Sequence, residues 1–105
     1  MDQTPKYIKR LEKLAELSVK AGLNLQKGQD LIITSPVEAL PLVRCVADAA
    51  YRAGAGVVTP ILSDDDLTLS RYKNGTDPSF DCAPGWLYEG MATAFSSGAA
   101  SLKIV

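Results

Sequence analysis

The chain has 105 residues, the size of one small domain, and can bury a core without metal or disulfide staples. Hydrophobic residues make up 47% and charged residues 22%, which excludes a disordered or collagen-like chain. The net charge of -1 lacks the clustered basic excess of a nucleic-acid-binding surface.

Charge is unevenly spread: residues 1–27 carry +3 and residues 28–105 carry -4. The basic part is a solvated helix face by its spacing, not a nucleic-acid contact. Histidine is absent, so this sequence offers no imidazole base, no Ser-His or Cys-His nucleophile pair and no His-ligated metal. Cys45 and Cys82 belong to no CxxC pair, which excludes a zinc knuckle or a thioredoxin-like motif. Cys45 falls in an apolar helical run and reads as a small buried hydrophobe. No apolar run approaches the ~18 residues of a membrane span, and MDQTPKYIKR has no signal-peptide core. The expected location is cytoplasmic, with no membrane or nucleic-acid partner.

Thr4 is an N-cap residue and Pro5 suits a first helical position, so a helix is predicted from there to Gly22, a left-handed stop. At 100° per residue, Tyr7, Ile8, Leu11, Leu14, Ala15, Val19 and Ala21 share the inward side. Lys9, Glu12, Lys13, Glu16 and Lys20 share the outward side.

After a polar turn, Asp30-Leu31-Ile32-Ile33-Thr34 reads as a parallel strand buried on both faces. Ser35-Pro36-Val37-Glu38 then has capping-box spacing, with Ser35 as cap and Glu38 reaching back. Pro36 and Pro41 cannot both start one regular helix, so the helix is predicted from about Ala39. Its inward stripe is Leu40, Val43, Val46, Ala47, Ala50 and Ala53, and Gly54 ends it.

Val57 to Leu62 is the second strand, and its interior Pro60 places it at a sheet edge. Strand, helix and strand make a right-handed βαβ unit. Ser63-Asp64-Asp65-Asp66 opens a third helix, with Leu67 and Tyr72 inward and Asn74-Gly75 as its stop. A loop with Asp77-Pro78 follows. Pro84 and Gly85 start a fourth helix, with Trp86, Leu87, Met91, Ala94 and Phe95 inward and Gly98 as terminator. Ser101 to Val105 is a third strand.

The order helix, strand, helix, strand, helix, helix, strand predicts a three-layer α/β domain with a short parallel sheet. Three strands are few for such a sheet, and the last one is hydrophobic and uncovered. The expectation is therefore an incomplete N-terminal portion of a larger α/β domain, residues 1–105, or a sheet edge completed by a partner.

Ligands of open parallel sheets sit beyond the carboxyl ends of the strands. Ser35 and Glu38 after the first strand, and Asp64 and Asp65 after the second, are therefore the candidate cleft-lining residues. No glycine-rich phosphate loop occurs, so Ser35 reads first as a cap. Asp64, Asp65 and Asp66 could meet a hard cation, yet acids in a first turn also complement the helix dipole. No catalytic, cofactor-binding or metal residue is assigned. Small-anion binding near Ser35, in a free-standing module, and a non-catalytic association partner are the alternative functions.

The stretches LEKLAELSVKAGLNLQKGQDLIITSPVEALPLVRCVADAAYRAGAG, LSDDDLTLSRY and PGWLYEGMATAFSSGAASLKIV resemble the start of thermophilic-type metallo-aminopeptidases. That family comprises aminopeptidase T, aminopeptidase S and related leucyl aminopeptidases. The resemblance implies hydrolysis of N-terminal residues from peptides by water activated on two divalent metals of the zinc, cobalt or magnesium class. It also implies a homodimer, and a metal-binding domain that lies beyond these residues. No family ligand falls on any position here, so the chain alone is expected to be an inactive scaffold bordering the cleft.

Overall fold

Leu31–Pro36 forms the middle strand, β1, of a three-stranded sheet. Its neighbours are β2, Val58–Ser63, and β3, Ala100–Lys103, both parallel to it in the order β2-β1-β3. The computed structural model describes residues 5–75 and 84–105. Thr4, Asp77, Pro78 and Cys82 lie outside the described residues.

Side chains alternate across the sheet. Leu31 and Ile33 point to one face and are fully buried with Ala15, Val19, Val43, Val46, Ala49, Ala50 and Val58. The helices that supply those partners are α1, Lys6–Leu17, with the turn that follows it, and α2, Leu40–Arg52. Both lie on this face. Helix α4, Gly85–Ser96, lines the opposite face beside Ile32, Thr59 and Ile61, and helix α3, Asp65–Asn74, follows β2. The layers are helix, sheet and helix, as the sequence pattern implies.

Local rules explain most boundaries. The Pro36–Pro41 conflict is resolved by a 3₁₀ turn, Val37–Ala39, which leaves Pro41 in the first turn of α2 where no amide partner is lost. Helix α2 then ends at Ala53, and Gly54 takes φ 94°, as predicted for a stop. Pro60 does sit on an edge strand, and Gly98 does take positive φ, at 96°.

Other expectations are corrected. Helix α1 begins one residue later than the cap rule suggests, with the Pro5 carbonyl accepting from the amides of Ile8 and Lys9. It ends in a π turn, Ser18–Gly22, closed by the Leu23 amide on the Ser18 carbonyl at 2.8 Å, so Gly22 is no left-handed stop; Asn24 takes that role at φ 47°. Within the acidic run, Asp64 caps α3 by accepting from the Asp66 amide. Gly75 ends that helix in extended, not left-handed, geometry.

Several inward-predicted residues are exposed: Tyr7, Leu14, Ala21, Leu67, Tyr72 and Phe95 among them. Leu67 is 71% and Trp86 77% accessible. Helical period identifies which side is apolar, but a sheet only three strands wide covers part of it. The radius of gyration, 16.3 Å, reflects the same openness, since a closed globule of this length has about 13 Å.

Ile33→Ala should lower unfolding free energy by ~2–5 kcal/mol, because it opens a cavity where three elements meet. Leu67→Ala should change it by less than ~0.5 kcal/mol. Urea titrations of both variants check the pair; equal losses would contradict the assignment of the core.

Candidate functional site

Parallel strands end together, and here their carboxyl ends enclose a notch of about 300 Å³. Thr34, Ser35 and Pro36 of β1, Ser63 of β2, Lys103 of β3 and the following Ile104 line it. The register that brings them together pairs Pro36 with Ser63 and Thr34 with Lys103.

Ser35 is buried at the floor of this notch. Its hydroxyl donates to the Pro36 carbonyl at 2.8 Å and caps no helix, which corrects the capping-box reading. The Ser63 hydroxyl donates to the Ser35 carbonyl at 3.5 Å. Glu38 is exposed, two residues beyond Pro36, and lies outside the lining. Asp64 is half-buried at the start of α3 and Asp65 is exposed in its first turn. Of the four candidate residues, the structure therefore brings only Ser35 into the notch itself. Lys103 is the cation that reading the sequence missed, because its place depends on β3 pairing with β1 and not on any local pattern.

A second opening, about 290 Å³, lies on the α4 face near the amino ends of the strands. Ile32, Val57, Thr59 and Ile61 form its floor, and Trp86, Leu87 and Met91 its wall. Asp30 borders it, but its carboxylate already accepts from the Val57 amide at 2.8 Å. Gly56 is required beside it, since a Cβ there would run into that carboxylate and come within 2.9 Å of the Gly28 carbonyl oxygen.

Between α1 and α2 lies a polar cleft of Glu12, Glu16, Cys45, Asp48 and Arg52. Arg52 approaches Glu16 at 3.8 Å, an exposed pair of small energetic weight. Cys45 is half-buried rather than fully buried, because its helix turns it toward these charges instead of the sheet. Burial, reinforced by the negative charge of Glu12 and Asp48 and partly offset by Arg52, pushes its thiol pKa upward.

A two-metal centre needs several carboxylate or imidazole ligands converging on one point. Among the described residues, no three His, Cys, Asp or Glu side chains are so placed. These residues do not fit such a centre. Nor is any helix among them long and apolar enough to cross a membrane.

Residues 7–105 match the family described as thermophilic metalloprotease (M29). The chain belongs to the M29 family. It is 50% identical to aminopeptidase T of Thermus thermophilus over 98 residues, 93% of this chain and 24% of that protein. Aminopeptidase T of Thermus aquaticus is 43% identical over the same shares, and aminopeptidase 2 of Geobacillus stearothermophilus is 38% identical over 94% and 24%. The solved structure of wild-type AmpT from Thermus thermophilus superposes with a TM-score of 0.88 at 48% identity, over 94% of this chain and 25% of that one. The M29 chain thus spans about a quarter of the length of these relatives and is homologous to their N-terminal region. Its short parallel sheet superposes on part of that longer chain.

With Cys82 replaced by Ser, Cys45 of this M29 chain should react with iodoacetamide at pH 8 more slowly than glutathione does. Its rate should climb only at higher pH than for an ordinary thiol, because the thiolate is the nucleophile. A pH–rate curve that overlays the glutathione curve would contradict the assigned surroundings.

Proposed function

We infer that this chain is the scaffold and cleft-bordering segment of a metal-dependent aminopeptidase, which hydrolyses N-terminal residues from peptides. One observation carries the reading. Half of the residues are identical to an aminopeptidase T over 93% of the chain, and the backbone superposes on AmpT at a TM-score of 0.88. The catalytic domain and its two divalent ions, of the zinc, cobalt or magnesium class, belong in this reading to the part of the family outside residues 1–105. The working enzyme is a homodimer acting on peptide substrates.

Within that reading the strand-end notch is the surface turned toward the cleft. Ser35 shapes its floor through the Pro36 carbonyl, and Lys103 adds a positive charge at its wall. Glu38, Asp64 and Asp65 lie within two residues of the lining and would border the same cleft. This chain's own work is to hold that wall rigid. It orients the cleft and excludes water, and no carboxylate is among the described residues that line the notch.

The test is a chimera in which these residues replace the matching segment of Thermus thermophilus aminopeptidase T. It should hydrolyse leucine p-nitroanilide with cobalt added and lose activity with EDTA, while the 105-residue chain alone should show no turnover with cobalt or zinc. Turnover by the chain alone, or a folded chimera without activity, would overturn the reading.

A further inference from the structure

The polar lining of the strand-end notch is Thr34, Ser35, Ser63 and Lys103. Two of its hydroxyl protons are spent inside the chain. Ser35 gives its own to the Pro36 carbonyl at 2.8 Å, and Ser63 gives its to the Ser35 carbonyl at 3.5 Å. Lys103 is different. It is exposed, and among the described residues it forms no ion pair. An ammonium has three donors and a full charge, so it is the group in the notch with capacity for an incoming anion.

Strand register fixes where that charge stands. Lys103 is level with Thr34, and Thr34 with Ile61, so the three side chains share one face of the sheet. The acidic run stands across the sheet. Asp64, Asp65 and Asp66 follow β2, and β1 separates β2 from β3, which sets the outer strands roughly 10 Å apart. Glu38, beyond β1, is outside the lining. The strand-end surface is therefore negative beside β2 and positive beside β3, and a carboxylate is repelled from the first side and drawn to the second.

The rest of the lining narrows the ligand. Ile61, Leu62, Ile104 and Val105 surround the one cation with apolar surface, in a notch of about 300 Å³. That suits a carboxylate carried on a piece of peptide better than a bare inorganic ion.

We propose that Lys103 is a specificity-determining residue that binds a carboxylate of the peptide substrate on the C-terminal side of the cleaved bond. The proposal rests on the aminopeptidase reading above, in which the substrate's amino end meets the metals and its remainder lies along the bordering wall. The same chemistry has two sources, the peptide's own C-terminus and an acidic side chain.

The chimera described above tests this with leucyl-glycine peptides of increasing length, each as free acid and as C-terminal amide. A second pair, both amides, carries Glu or Gln near the C-terminus. The chimera should favour the carboxylate-bearing member of at least one pair by about fivefold in kcat/KM, through KM, as a partly exposed ion pair allows. That preference should fall to near one in Lys103→Gln, persist in Lys103→Arg and fade as salt rises. A preference confined to the first series assigns the C-terminal carboxylate; one confined to the Glu peptide assigns the side chain. An active chimera without either preference, or one whose preference survives Lys103→Gln, would overturn the proposal and leave the aminopeptidase reading intact. Equal losses on acids and amides in Lys103→Gln would also overturn it, as the mark of a structural role. A folded chimera without activity would overturn the aminopeptidase reading, and this proposal with it.

Discussion

The fold depends on the burial of β1 between two parallel neighbours. Leu31 and Ile33 are fully enclosed, and through them the strand joins α1, α2 and β2 into one apolar cluster. On its other face Ile32 is also buried, with α4 alongside. A strand covered on both faces can have almost no polar side chain in its middle, and its run of Leu, Ile and Ile meets that demand. Side-chain bonds then fix how the neighbours enter the sheet. Asp30 holds the Val57 amide, Tyr51 holds the Val58 amide, and the Gln29 amide nitrogen donates to the Gly98 carbonyl at 2.9 Å. These anchors sit at the amino ends of the strands, opposite the notch.

That separation gives the two ends of the sheet different surroundings. The amino ends carry the turns and close backbone approaches that keep the sheet in register. The carboxyl ends carry the notch, lined among others by Ser35, Ser63 and Lys103. The segment matches the N-terminal quarter of its aminopeptidase relatives. Its exposed apolar residues, Trp86 and Leu67 above all, agree with surfaces built to meet more protein.

Much of this was legible in the residues. Pro60 announces an edge strand because a missing amide hydrogen is a local, unconditional fact. The two prolines at 36 and 41 forced a choice, and the structure satisfies both with a 3₁₀ turn before α2. What local rules could not supply was tertiary. The amphipathic period of α1 marks Tyr7 and Leu14 as inward, but α1 packs chiefly on α2 and leaves both exposed. Ser35 fits a capping box by spacing, yet β1 runs on through Pro36, so the hydroxyl turns to the next carbonyl instead. Lys103 entered the notch only because β3 lies beside β1, a strand order that no spacing in the sequence encodes. The family resemblance, carried by three stretches of sequence, is matched by homology across residues 7–105.

On the proposed function, these residues shape an enzyme whose metals are held outside residues 1–105. Equilibrium dialysis of the purified chain against cobalt, followed by elemental analysis, tests it directly. No ion should be retained at stoichiometric level by the chain, and two per subunit by the chimera with the remaining three quarters of aminopeptidase T. A cobalt ion held stoichiometrically by the 105-residue chain alone would contradict it.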